Sequence, residues 1–455
     1  MYSQPAKPAE PTPLFYGELI PYPYQEEAIE LGQKTNLLLM DEPGTGKTLM
    51  AVEIIKRLRE TGKMWFQRPA IIFCPKQTAA FWKQTIIRQS GGGNVYIAEP
   101  KAANIPPARQ LGPRDWIIAH YETILARKDW QSIRWSVVVC DEAHRIKNRN
   151  AKRVIALKKL PATRAIALTG TPMERSAGDL WSILNWLFPG DWRSYWAFYT
   201  KYVEEEVNQY TGFRKIKGSK NLADLTAKMS SFTLRRTKLD VAPQLPPRPV
   251  PQHVPVTMES HQASLYKQTK KVSMDEAVVD KGADINLWIK NTLSRIVRLQ
   301  QVSTEPELLG MSAQSAKLEW LYDFLEDNPD EVCVVFTRFR DTAIRLHKRF
   351  HPDSLLIVGG VQFAGWQSGR LCVGTIASMS EGINLQRATT AIFLDQEWST
   401  IKMTQAVDRI HRIDDMRPKT VYYLHTEGTV DSLILKALDR KWADIDLVNA
   451  FLEER

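Results

Sequence analysis

Eight consecutive residues, Asp41-Glu42-Pro43-Gly44-Thr45-Gly46-Lys47-Thr48, have the types and spacing to hold a polyphosphate. Glycines at 44 and 46 let backbone N–H groups converge, Lys47 adds a point charge for β- and γ-phosphate oxygens, and the Thr48 hydroxyl is a hard oxygen ligand suited to Mg2+. Such a loop works when a strand feeds it and a helix leaves it, because the helix N-terminus then aims its dipole at the anion. The sequence supplies both, as the apolar run Leu37 to Met40 and the helical pattern Leu49 to Lys56. The reading is nucleotide triphosphate binding by Gly44, Thr45, Gly46, Lys47 and Thr48. The strict Walker pattern has Gly where this chain has Asp41, and the alternative is an incidental glycine-containing turn.

A second pair of candidates follows the run Val137-Val138-Val139-Cys140. Asp141 can hold the Mg2+ that Thr48 coordinates, and Glu142 can orient and deprotonate a water attacking the terminal phosphate; an exposed acidic turn is the bland alternative. Ahead of the phosphate loop, the Gln25 amide could read an adenine edge while Tyr24 packs on the ring, although a helix N-terminus explains the same residues.

The frame that must position these groups is an α/β one. The runs 70–74, 116–119, 137–140 and 164–168 are continuously apolar and alternate with helical patterns, as in a parallel sheet covered on both faces. Ligands gather at the carboxyl ends of such strands, where this chain places its polar residues. From Gly178 to Lys238 the sheet pattern gives way to an apolar helix, an aromatic cluster and a charged loop. Pro243 to Pro255 reads as an extended crossover without helix or strand, and Ser260 to Val302 is helical with a basic face. A second α/β pattern begins near Ser315 and has no phosphate loop of its own.

Composition fits an ordinary globular protein of two or three domains: 455 residues, 44% hydrophobic and 25% charged. A formal charge of +10 favours a polyanionic partner. The four cysteines, Cys74, Cys140, Cys333 and Cys372, lie singly in apolar runs, which implies buried thiols in a reducing compartment instead of a zinc site or disulfide framework. No signal sequence or membrane span is read, and a soluble protein is expected.

These residues resemble, in order and over nearly the whole chain, the Snf2-like group of superfamily 2 helicase-type DNA translocases. The resemblance rests on the phosphate loop, on Asp141-Glu142-Ala143-His144 (a DEAH-type box) continuing as Arg145-Ile146-Lys147-Asn148, and on Leu168 to Pro172. It rests also on Phe232-Thr233-Leu234-Arg235-Arg236-Thr237-Lys238 and on Gln405 to Ile413. It departs where Ile413 is followed by Asp414-Asp415 instead of Gly-Gln, and where the 359–369 segment is short.

The resemblance implies two RecA-like parallel-sheet lobes with helical protrusions: lobe 1 over 1–240 with a protrusion at about 177–238, a linker and second protrusion over 241–313, and lobe 2 over 314–455 ending in brace helices. Arg409 and Arg412, read as three apart on one helix face, would with Gln405 complete the ATP site; the alternative is ordinary surface ion pairing. An Arg delivered to a γ-phosphate accelerates transfer by roughly 10³–10⁵. Lys76, Thr337, Arg338 and Thr375 would contact a DNA strand, with Ser380 and Asn384 linking DNA to the ATP cleft. The implied activity is an ATP- and Mg2+-using, DNA-dependent ATPase that tracks duplex DNA without sequence preference and remodels branched DNA in replication, recombination or repair. A partner-dependent translocase that displaces proteins or serves a restriction or repair complex is the alternative. With no chromatin-reading or zinc module read in this sequence, a nearly bare motor is expected, which resembles phage and bacterial members more than nuclear remodellers. A monomer in the bacterial cytoplasm or nucleoid is expected, or in the nucleus of a eukaryote.

Overall fold

The computed structural model describes residues 18–98, 110–173, 176–207, 214–279, 285–359, 365–380, 383–413 and 415–440. The chain divides into two compact units, one of Met1–Asp41 with Gly46–Arg235, the other of Glu42–Thr45 with Arg236–Arg455.

In the first unit strands and helices alternate: α1 (Pro23–Lys34), β1 (Leu37–Leu39), α2 (Lys47–Glu60), β2 (Ala70–Phe73), α3 (Ala79–Gln89), β3 (Val95–Ala98), β4 (Trp116–Ala119), β5 (Trp135–Asp141), α4 (Lys152–Leu157) and β6 (Ala162–Leu168). Then come α5 (Trp181–Leu187), α6 (Tyr195–Tyr202), β7 (Val203–Val207), β8 (Arg214–Ser219), α7 (Leu222–Met229) and β9 (Thr233–Leu234). Seven strands form a parallel sheet in the order β3-β4-β2-β5-β6-β1-β9. Side chains alternate across it: Val138 and Cys140 enter one core with Ile71 and Phe73, while Val137 and Val139 enter the other with Ala70 and Ile72. Both faces are therefore dry, which is why these strands read as unbroken apolar runs. The charged loop after α6 is in fact an antiparallel hairpin, β7 with β8, whose alternation is masked by Glu204, Glu205 and Glu206 on one strand and lysines on the other.

The second unit contains α8 (Lys238–Val241), β10 (Gln252–Val256), α9 (Ser260–Val279), α10 (Ile285–Thr304), α11 (Ala316–Asp327), β11 (Cys333–Thr337), α12 (Arg340–Phe350) and β12 (Ser354–Ile357). It continues with β13 (Leu371–Thr375), α13 (Ile376–Met379), β14 (Thr390–Phe393), α14 (Thr400–Val407), β15 (Thr420–Thr426) and α15 (Val430–Arg440). Its six-stranded sheet, β10-β15-β14-β11-β13-β12, is again parallel and two-faced, with Val334 and Phe336 in one core and Cys333 and Val335 in the other. The expected pair of parallel α/β lobes is thus present.

The Pro-rich stretch corrects the sequence reading: Gln252–Val256 is a strand, paired along β15. It lies at the sheet edge, the one place where the missing N–H of Pro255 is tolerated. Ile296, Leu299 and Val302 of α10 pack against Val430, Leu433 and Ile434 of α15, so that part of the basic helical segment has a buried apolar face. The expected C-terminal helix from Val430 is present as α15, and the short tail expected after it lies outside the described residues. All four cysteines are buried with free thiols, and among the described residues no helix is long and apolar enough to cross a membrane.

Candidate functional site

The phosphate loop leaves β1 and enters α2 through two residues in the left-handed region, Gly44 at φ 90° and Gly46 at φ 84°. A side chain at either would be strained, and at Gly46 a Cβ would also collide with the Gln25 amide. Lys47 Nζ donates to the Asp41 carbonyl at 2.6 Å, folding back over the loop, and Thr45 Oγ1 donates to the Glu42 carbonyl at 2.9 Å. Helix α1 is tied to α2 by a two-pronged Arg57–Glu26 pair at 2.6 and 2.8 Å, and that hydrogen bond holds Glu26 below the usual carboxylate range. Gln25 is buried. Its Oε1 accepts from the Tyr22 N–H at 2.9 Å and its Nε2 donates to Tyr24 Oη at 3.3 Å. Gln25 therefore caps α1 and wedges against the loop, with its acceptor committed to the backbone.

Only β6 separates β1 from β5 in the sheet, so the phosphate loop and Asp141 share one sheet edge. Asp141 Oδ2 accepts from Trp82 Nε1 at 2.8 Å and Oδ1 from the Glu142 N–H at 3.0 Å. Burial, then the adjoining Glu142, push its carboxyl up to about 6, against the pull of the Trp82 hydrogen bond and of Lys47. Glu142 sits at φ 52° and ψ 54°, a strained position for a side-chain-bearing residue, with Oε2 3.3 Å from His144 Nδ1. Two half-buried carboxylates at a strand end, beside a loop of N–H donors and a lysine, form a site electrostatically suited to a divalent cation bound with an anionic ligand. Trp82, which orients Asp141, was not legible as a site residue because it reads as an ordinary apolar position of an amphipathic helix.

In the second unit the paired-arginine expectation needs correction. Helix α14 stops at Val407, so Arg409 and Arg412 do not share a helix face. Arg409 is buried and its Nε donates to the Ser380 carbonyl at 2.8 Å, while its own carbonyl accepts from the Leu385 N–H at 3.0 Å. Arg412 is half-buried and reaches the Glu42–Thr45 segment that belongs to this unit: a Cβ on Gly44 would lie 3.3 Å from Arg412 Cδ and 3.6 Å from Nη1. Gln405 is buried at the C-terminal end of α14.

The residues carried over as DNA contacts divide. Lys76 and Asn384 are exposed, Asn384 accepting from the Gln386 N–H at 3.0 Å. Thr337 is fully buried and donates to Asp395 Oδ2 at 2.7 Å, so its hydroxyl does not face solvent. The Arg338 N–H donates to Asp395 Oδ1 at 2.6 Å; its guanidinium donates to Gln300 Oε1 at 2.7 Å and lies 4.3 Å over the Trp398 ring. Thr375 is buried, donating to Ser378 Oγ at 2.8 Å and capping α13, and Ser380 is buried beneath Arg409. Thr337, Thr375 and Ser380 therefore brace the strand ends from within. Asp395 and Gln300, which complete that bracing, carried no motif signal.

A glycine loop between the first strand and helix of a parallel sheet, with an acidic strand end beside it, defines the class: a phosphate-loop α/β protein with a second parallel-sheet unit. The particular family is that of the SNF2-related domain, whose model matches residues 24–308, and the chain belongs to it. The chain is similar to the "Putative ATP-dependent helicase/translocase YwqA" of Bacillus subtilis, 27% identical over 442 residues, covering 89% of this chain and 45% of that protein. It is also similar to the "ATP-dependent DNA helicase DDM1" of Arabidopsis thaliana (25%, covering 88% and 58%) and to the "Zorya protein ZorD" of Escherichia coli (25%, covering 88% and 41%). It spans about half the length of the curated relatives it matches. Among solved structures it is similar to a Sulfolobus solfataricus SWI2/SNF2 ATPase core in complex with dsDNA, 25% identical, covering 93% of each chain at a TM-score of 0.45.

Proposed function

We propose that this chain is an ATP-hydrolysing motor that translocates on duplex DNA without reading sequence and remodels branched DNA. The observation that carries the reading is the shared sheet edge of the phosphate loop and Asp141-Glu142, where Lys47 already pulls on the Asp141 charge. Relatives named as ATP-dependent helicases or translocases support it.

In this reading the N–H groups of Gly44 to Thr48 and the Lys47 ammonium bind the triphosphate. Thr48 and Asp141 would hold Mg2+, which supplies charge neutralisation at the transferring phosphoryl group. The fit of the cation rests on Asp141, whose half-buried, raised carboxyl is returned to its ionised form by a positive charge beside it. Glu142 orients a water and takes its proton, and its strained backbone sets the direction of its carboxylate. Arg412 meets charge that develops on the γ-phosphoryl oxygens, while Arg409, committed to the Ser380 carbonyl, shapes the turn from which Arg412 projects. Positioning and charge neutralisation account for most of the catalysis phosphoryl transfer needs. DNA is gripped through phosphates, as the net charge of +10 and the exposed Lys76 favour.

The test is ATP turnover with duplex, single-stranded and forked DNA, for the native chain and for Lys47→Ala. Stimulation by forks above linear duplex supports branched-DNA remodelling. Turnover that stays low on every DNA until a protein partner is added would replace it with a partner-dependent motor. Lys47→Ala turning over at the native rate would refute the ATPase reading.

A further inference from the structure

Lys238 is a buried lysine that the chemistry above does not use. Lysine is almost never fully buried unless paired, and here burial draws the ammonium below the usual lysine range in spite of Asp408 beside it. Its Nζ donates to Asp408 Oδ1 at 2.9 Å and to the His411 carbonyl at 2.6 Å. Those two residues bracket Arg409 and immediately precede Arg412. The other end of the same residue holds the phosphate loop: the Lys238 N–H donates to Glu42 Oε2 at 2.9 Å, and the Glu42 N–H donates to the Arg236 carbonyl at 3.0 Å. A Cβ on Gly44 would lie 3.6 Å from Lys238 Cε, beside the guanidinium of Arg412.

The chain after Lys238 is fastened to the same place. Arg248 Nη2 donates to the Thr404 carbonyl at 3.0 Å and lies 3.5 Å from Asp408, and His411 Nε2 donates to the Pro246 carbonyl at 2.9 Å. The stretch that reads in sequence as a plain crossover is thus bound to the turn that ends α14. The α-helix there stops at Val407 and continues only as a turn, with the Arg409 N–H donating to the Ala406 carbonyl at 3.1 Å and the His411 N–H to the Val407 carbonyl at 3.3 Å. The buried ammonium adds the side-chain tie that joins this turn to the Glu42 segment.

We propose that Lys238 is a positioning residue for ATP hydrolysis, locking the 408–411 turn to the Glu42 side of the phosphate loop so that Arg412 is held at the Gly44 backbone. This rests on the ATPase reading above. Lys238 touches neither phosphate nor water; it acts through Arg412.

The experiment compares DNA-stimulated kcat and KM for ATP in the native chain, Lys238→Met, Lys238→Arg, Arg412→Ala and the Lys238→Met/Arg412→Ala double variant. Lys238→Met is expected to lower kcat by roughly 10²-fold, the effect of misplacing a reacting group by about 1 Å, with KM within about twofold, because the interaction lost is made only in the transition state. Lys238→Arg should recover much of that loss, and the double variant should be no slower than Arg412→Ala alone. If Lys238→Met does not fold, Asp408→Asn, nearly identical in shape, carries the same expectations. A native chain without turnover would overturn the ATPase reading and this inference with it. An active native chain with an unchanged kcat in folded Lys238→Met, or a double variant whose losses multiply, would overturn this inference alone.

Discussion

Replacing Asp141 by Asn should stabilise the nucleotide-free protein at neutral pH while abolishing its chemistry. Burial and Glu142 raise this carboxyl from the ordinary 3.8 to about 6. That rise of about 2 units, at 1.36 kcal/mol each, bounds the cost of the folded carboxylate at about 3 kcal/mol. Between those two pH values the folded chain keeps a proton that the unfolded chain has released. Stability is therefore lost as pH rises through that window, and the full cost is present at about pH 7.5. Asn carries no charge but loses one acceptor, either for Trp82 Nε1 or for the Glu142 N–H, at about 1 kcal/mol. The net gain is about 1–2 kcal/mol at about pH 7.5, a rise of about 2–8 °C in the Tm of a unit this size. At about pH 4 the charge term vanishes and Asn should be the less stable by about 1 kcal/mol. Calorimetry without metal or nucleotide, at both pH values, reads the difference, and turnover of the variant should be lost. A Tm difference independent of pH would refute the electrostatic account of this strand end.

Two further perturbations separate roles that the sequence merged. Arg412→Ala should slow hydrolysis by roughly 10³-fold or more with little change in ATP affinity, whereas Arg409→Ala should lower thermal stability by about 1.5–3 kcal/mol because the buried Ser380 carbonyl loses a charged donor; kcat and Tm on both variants decide it. Lys317 and Asp431, both fully buried and 2.5 Å apart, form a pair whose halves cannot be removed singly. Lys317→Met should destabilise the second unit by about 3–5 kcal/mol in urea unfolding, and a Lys317→Met/Asp431→Leu double variant should recover part of the loss.

The sheets were legible because both faces of each are buried, which leaves unbroken runs such as Val137 to Cys140 and Cys333 to Phe336 that few other structures produce. The phosphate loop was legible because positive φ at Gly44 and Gly46 demands glycine, so the motif is written in backbone requirements. What failed to show had local sequence pointing the wrong way. Pro255 argues against a strand, yet an edge position excuses its missing donor. Helical spacing put Arg409 beside Arg412, but the α-helix gives way after Val407 to a turn in which Arg409 Nε donates to the Ser380 carbonyl and the His411 carbonyl accepts from Lys238 Nζ. Thr337 and Arg338 stand at the end of a strand as a nucleic-acid contact would, and only the fold reveals that Asp395, far along the chain, claims the Thr337 hydroxyl and the Arg338 N–H.

Asp395 also shows why an acidic strand end does not by itself make a cation site. It is fully buried where Asp141 is half-buried, and in both desolvation pushes the carboxyl up to about 6. Like Asp141 it accepts two hydrogen bonds, here from the Thr337 hydroxyl and the Arg338 N–H. The difference lies in the neighbouring charges. Lys317 and Arg338 pull the Asp395 charge back toward ionisation, so the second unit balances its own carboxylate with its own cations. At Asp141 the largest neighbouring charge is instead another carboxylate, Glu142, set against Lys47, so this strand end carries two acidic groups beside one cation. An unbalanced acidic pair beside a loop of N–H donors lowers its energy by taking a divalent cation together with an anionic ligand, while a balanced one has no such gain. By this electrostatic criterion Asp141 and Glu142 are the carboxylates suited to the phosphate chemistry proposed above, while Asp395 ties the ends of β11 and β14 together.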